Sequence, residues 1–122
     1  MLYIIGGRNN TPAGNIDTAS VDRYDPLRDE WKPMAPLSVP RNRLGVAVVD
    51  DCIYAIGGGN GNTCHTSVEK YDVKQDEWTT VMSLNFPRIG RFWARLYINT
   101  PLQAGTVWVT SWQEEKICCS NL

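Results

Sequence analysis

The sequence predicts an all-β fold, a partial β-propeller built of four-stranded antiparallel blades. Three observations carry that expectation. Four strand-like runs follow one another between Pro40 and Val81. The same pattern occurs a second time upstream. In both copies a pair of glycines closes a strand that carries apolar side chains.

The complete copy comes first in the argument. Val46, Val48 and Val49 form the first apolar run, and Cys52–Ile56 (CIYAI) the second. Ser67–Val73 (SVEKYDV) is the third and Glu77–Val81 (EWTTV) the fourth. Each is rich in β-branched or aromatic residues and bounded by turn residues, which is the strand signal. Asp50-Asp51 fits a two-residue hairpin turn, and Gly57–Asn62 (GGGNGN) a Gly/Asn loop that tolerates positive φ.

The upstream copy holds LYIIGG (Leu2–Gly7), SVDRYDPLRDEW (Ser20–Trp31) and PLSVPR (Pro36–Arg41). Their counterparts are IYAIGG (Ile53–Gly58), SVEKYDVKQDEW (Ser67–Trp78) and MSLNFPR (Met82–Arg88). Tyr24 and Tyr71, Trp31 and Trp78, and Pro40 and Pro87 are each 47 residues apart, and the glycine pairs 51. The first copy therefore carries four extra residues, within RNNTPAGNIDTA, a loop by composition. Four strands per repeat of about 40–50 residues is the pattern of a propeller blade.

The fixed offsets have a family counterpart. A glycine pair after a strand, then a tyrosine, then a tryptophan seven residues later (Tyr24–Trp31, Tyr71–Trp78), resembles the kelch repeat. More narrowly, GGRNNTPAGN, YDP and APLSVPRNRLGVAVVD resemble the kelch domains of BTB-kelch substrate adaptors. For this chain the resemblance implies part of an adaptor that captures an NRF-type oxidative-stress transcription factor for a cullin-RING ubiquitin ligase. The resemblance covers about residues 2–90.

The expected organisation has three parts. Residues 1–39 are a partial kelch blade entered at its second strand, and 40–87 a complete one. Residues 88–122 begin a third blade and run into a tail with no glycine pair, Tyr or Trp at repeat spacing. Propellers close with about four to eight blades, and repeats need about three to bury their apolar faces. The 122 residues are therefore expected to be a fragment of a larger protein or a truncated product.

Composition narrows the function classes. Twelve basic and thirteen acidic residues give net charge −1, which offers no bulk attraction to nucleic acid or anionic lipid. No run reads as a signal peptide or a membrane span. Four cysteines without framework spacing point to reduced thiols, hence to the cytoplasm and the nucleus. One histidine is too few for the copper-oxidase chemistry of some kelch propellers, and no catalytic set is evident. A protein-binding module without cofactor or metal is expected, rather than an enzyme. The alternative is a structural, actin-associated kelch protein.

Most marked residues read as structural. Trp31, Trp78, Tyr24 and Tyr71 are expected in the core, the tyrosines needing hydroxyl partners. Gly6-Gly7 and Gly57-Gly58 are expected where Cβ atoms would crowd. Asp25-Pro26 and Asp72 are expected to start turns.

The segments after the glycine pairs and before the first strands emerge on one rim of a propeller. Arg8, Asn9 and Asn10 follow the first pair, while Arg41, Asn42 and Arg43 precede Val46. Arg88-Ile89-Gly90 takes the matching place one repeat later. Arg8, Arg43 and Arg88 would then converge as forked donors suited to the carboxylates of an acidic peptide. On spacing alone an equal alternative stands: Arg41, Arg43 and Arg88 pair with blade acids or stack between blades.

The resemblance favours the pocket. It implies that Arg8, Asn10 and Arg43, with Asn42 beside them, read the glutamates of an acidic target motif, and that Arg88 and Ile89 lie at the pocket edge. It also implies further pocket residues, a BTB domain that binds the cullin, and a cysteine-rich linking region, none of them in these 122 residues. Cys64 beside His65 is the one possible reactive thiol, since a neighbouring imidazole favours thiolate. One Cys and one His are too few for a zinc site.

Overall fold

The structure is a computed structural model, and it describes residues 1–87. Every regular element in that span is a β-strand. In chain order the first five are β1 (Leu2–Ile5), β2 (Arg8–Thr11), β3 (Gly14–Asp17), β4 (Val21–Asp25) and β5 (Glu30–Met34). The next six are β6 (Gly45–Val49), β7 (Cys52–Ile56), β8 (Gly59–Asn60), β9 (Thr63–Cys64), β10 (Ser67–Asp72) and β11 (Glu77–Ser83).

Two antiparallel sheets form the body. One has the order β1-β4-β5, the other β11-β10-β7-β6. The four expected strands of the second repeat are therefore all present, the last running two residues further than Val81. The β6–β7 turn is made by Asp50 and Asp51, both left-handed at φ 48° and 60°. That double positive φ is what a two-residue turn matching strand twist demands.

The sheets repeat one another down to single hydrogen bonds. Gly6 N–H donates to the Ser20 carbonyl as Gly57 N–H does to that of Ser67. Leu37 N–H donates to Ala19 as Leu84 N–H does to Thr66. The strand-joining turns also match. The carboxylates of Asp25 and Asp72 each accept from the backbone N–H two residues on, the Asx geometry that starts a turn. Asp29 and Asp76 sit at positive φ and each accept the tyrosine hydroxyl five residues back, at 2.6 Å.

One face of the first sheet packs on the second. Side chains alternate along a strand, so Tyr3, Ile5 and Val21 point together. They meet Leu37, Leu44, Val46, Ala55 and Trp78 in the core. The Tyr3 and Tyr71 rings meet edge to face, 6.0 Å between centroids. Burying each Leu or Val of this kind contributes about 1.5–3 kcal/mol.

The segment 35–44 threads between the sheets and bonds to both. Leu37 and Arg41 N–H groups donate to Ala19 and Thr18 of the first repeat, and the Arg41 carbonyl accepts from Gly7. From the second repeat, Asp76 accepts the Ala35 N–H and Trp78 Nε1 donates to the Ala35 carbonyl, both at 2.9 Å. The glycine pairs make room for this segment. A Cβ on Gly6 would stand 2.5 Å from the Arg41 carbonyl oxygen, and one on Gly58 2.8 Å from that of Asn42.

Two expectations need correction. The stretches read as loops after the glycine pairs are hairpins, β2–β3 and β8–β9. Their Asn and Gly residues are poor strand formers, but backbone pairing and the bond from Thr11 Oγ1 to the Gly14 carbonyl close the first turn. Trp31 is not buried. It is 51% exposed, and its ring lies against that of Tyr24, 5.0 Å between centroids. Trp78 has the segment at Ala35 over it; among the described residues, none covers Trp31 in that way.

Candidate functional site

The β2–β3 hairpin places two of the expected residues. Arg8 on β2 lies directly opposite Asp17 on β3, and Asn10 lies opposite Asn15. Arg8 and Asn10 are two residues apart on one strand and therefore share a face.

Arg8 is engaged by its neighbour. Its Nε donates to Asp17 Oδ1 at 2.6 Å and its Nη2 to Oδ2 at 3.2 Å. This is the parallel two-bond arrangement that fits a guanidinium to a carboxylate. The Arg8 side chain keeps 30% of its surface in solvent, that of Asp17 only 3%. The Asp17 Oδ2 also accepts the Gly61 N–H at 2.8 Å, so the carboxylate ties the first repeat to the β8–β9 turn of the second. Its hydrogen bond with Arg8 holds the Asp17 carboxyl below the usual carboxylate range, with Gly61 and the charges of Arg8 and Arg43 adding to the effect. The same bond raises the Arg8 guanidinium.

Asn42 and Arg43 arrive from the interblade segment. Asn42 exchanges both backbone hydrogen bonds with Gly59, at 2.7 and 2.9 Å. Arg43 follows in the left-handed region, φ 55°, half-buried. That conformation is uncommon for a non-glycine residue. Its charge acts on Asp17 together with that of Arg8. Arg8 is thus bonded to the Asp17 carboxylate, and the Arg43 charge adds a smaller effect in the same direction.

Arg41 takes the other course open to it. Its side chain is fully buried and reaches into the second repeat. Nε donates to Glu69 Oε1, Nη1 to the carbonyls of Gly57 and Ser67, and Nη2 to Ser67 Oγ. Arg41 therefore pairs with a blade acid, the alternative that spacing alone left open, and it holds the segment from which Asn42 and Arg43 project.

The remaining candidates separate. Arg88 and Ile89 lie outside the described residues. By the 47-residue offset Arg88 corresponds to Arg41 rather than to Arg43. Cys64 is half-buried on β9 opposite Gly59, outside any disulfide. The ring of His65 turns to the Pro40 carbonyl, 3.2 Å from Nε2.

Sequence reasoning missed Asp17. Only the hairpin register puts it opposite Arg8, and nothing in GNIDTA marks one acid as a partner. Glu69 carried no clear signal either, standing between Val68 and Lys70 on a strand that also holds Asp72.

A three-stranded and a four-stranded antiparallel sheet, each with a Tyr/Trp pair at the same seven-residue spacing and joined by a segment that passes over Trp78, define a kelch-type blade module. The comparison agrees: the kelch motif matches residues 1–38 and 40–85, and the chain belongs to the kelch-repeat family. Similar proteins include the Kelch-like ECH-associated proteins 1B and 1A of Danio rerio, 54% and 45% identical over 65 residues. Each of those alignments takes in 53% of this chain and 11% of the relative. Kelch-like protein 15 of Homo sapiens is 40% identical over 58 residues, 47% of this chain and 10% of that protein. The matched stretch thus spans about a tenth of the length of these relatives. Kelch repeats are a protein-interaction module.

Proposed function

We propose that the rim formed by Arg8, Asn10, Asn42 and Arg43 binds an acidic peptide. One observation carries the reading: at that rim Arg8 holds the Asp17 carboxylate through two parallel bonds while keeping part of its surface in solvent. A guanidinium that pairs one carboxylate through one edge keeps a second edge with the chemistry to receive another. Asn10 and Asn42 add amide groups that orient a peptide backbone.

The finer reading follows from the likeness to the Kelch-like ECH-associated proteins. It makes the chain part of a substrate adaptor for a cullin-RING ubiquitin ligase. The target is the acidic motif of an NRF-type transcription factor, met in the cytoplasm or the nucleus. Cullin engagement would belong to a BTB region outside these residues.

The test is titration of the 122-residue chain with a glutamate-rich peptide and with its glutamine counterpart, at two salt concentrations. Preference for the glutamate peptide that weakens with salt is expected, because exposed charge pairs are screened. Equal binding of both peptides would overturn the reading.

A further inference from the structure

The Arg8–Asp17 pair has a consequence for ligand choice. A guanidinium has five N–H donors arranged on two usable edges. Asp17 takes the edge made by Nε and one Nη2 proton. An incoming carboxylate is left the edge made by Nη1 and Nη2. It must also approach a group already carrying a negative partner. Arg8, Arg43 and Asp17 together carry one net positive charge, not two.

Asp17 does not leave this arrangement easily. Its side chain is almost wholly out of solvent, and its Oδ2 is also held by the Gly61 N–H of the other repeat. Displacing it would strand a buried carboxylate, which is costly. A ligand therefore shares Arg8 with Asp17 instead of replacing it.

We infer that Asp17 is a resident carboxylate that limits the rim to ligands presenting a single carboxylate there, and so is a specificity-determining residue of the site. This rests on the acidic-peptide reading above. It predicts that Asp17→Asn, which keeps an oxygen for Gly61 N–H while removing the charge, raises affinity for anions.

The experiment compares wild type and Asp17→Asn in the full 122-residue chain, using two probes. The first is inorganic phosphate, followed by NMR at the Arg8 side-chain N–H. The second is a peptide pair, glutamate-rich against glutamine-rich. Asp17→Asn is expected to bind phosphate at Arg8 about tenfold more tightly, the scale of removing one nearby like charge. It is expected to bind the glutamate peptide more tightly by a similar factor and the glutamine peptide unchanged. Asp17→Glu, which retains the charge, is expected to bind phosphate no more tightly than wild type. It supplies the comparison if the asparagine variant loses its folded spectrum, and a gain for Asp17→Glu would then count against the inference. Unchanged or weaker phosphate binding by a folded Asp17→Asn would overturn the resident-carboxylate role. Tighter phosphate binding with no preference between the peptides would uphold that role and overturn the acidic-peptide reading instead.

Discussion

Arg41 and Glu69 form a buried ion pair, with Nη2 2.8 Å from Oε1 and neither side chain in contact with solvent. The pair spans the joint between the two repeats. Arg41 is bonded through its backbone to Gly7 and Thr18 of the first and through its side chain to Glu69, Gly57 and Ser67 of the second. The other Glu69 oxygen accepts the Ser38 N–H, so one carboxylate holds the interblade segment at two points. Asn42 and Arg43 leave the segment directly after this anchor.

Arg41→Ala is expected to cost about 3–5 kcal/mol of stability, because it leaves Glu69 charged, buried and unpaired. The double replacement Arg41→Met with Glu69→Leu is expected to cost less than Arg41→Ala alone. Urea unfolding followed by circular dichroism measures both. Equal or greater loss in the double variant would count against the buried charge as the cause.

Two glycines separate steric crowding from backbone strain. Gly6 and Gly61 have nearly the same left-handed φ, 60° and 58°. A Cβ on Gly6 would stand 2.5 Å from backbone oxygen, whereas one on Gly61 meets nothing within 4 Å. Alanine at Gly61 is expected to cost about 1–2 kcal/mol, the left-handed penalty alone. Alanine at Gly6 is expected to cost clearly more, because the segment carrying Arg41 must shift. Thermal melts of the two variants measure the difference, and equal losses would mean that the segment yields freely.

Stability is expected to fall at both ends of the pH scale. The Asp17 carboxyl is lowered chiefly by its bond to Arg8, and that of Asp76 by its bond from Tyr71. Groups lowered on folding stabilise above their unfolded value, about 3.9, and lose that contribution as pH drops through the folded value. Burial, then the bond to Asp76, raises the Tyr71 hydroxyl. A raised group stabilises fully below its unfolded value, about 10, and loses that contribution as pH climbs from there toward the folded value. Melting temperature against pH should therefore be level near neutrality. Asp17→Asn should flatten the acid limb, and Tyr71→Phe the alkaline one. Limbs unchanged in these variants would assign the titration to other groups.

The sheets were legible in the sequence because their signals are redundant. Val46–Val49 and Cys52–Ile56 are short apolar runs rich in β-branched and aromatic residues, Asp50-Asp51 supplies the turn, and the 47-residue offset repeats the unit. The β2–β3 hairpin was not legible, because polar residues hold it through register and not through propensity. Asp17 was hidden for the same reason, being nine residues from its partner with nothing between them to fix the pairing. Arg41 and Arg43 are two residues apart with the same chemistry. Only the path of the segment decides that one is buried in the sheet interior and the other stands half-buried in the left-handed region, at φ 55°. Trp31 and Trp78 occupy the same place in their repeats, yet differ in burial because burial depends on what lies across from them.

The most direct measurement is the dissociation constant of a glutamate-rich peptide for the chain with Arg43→Ala beside wild type, by calorimetric titration. A loss of more than about 1.5 kcal/mol, the scale of one charged hydrogen bond, is expected if Arg43 reads a carboxylate of the ligand. An unchanged dissociation constant, with the variant still folded, would contradict the rim as the acidic-peptide site.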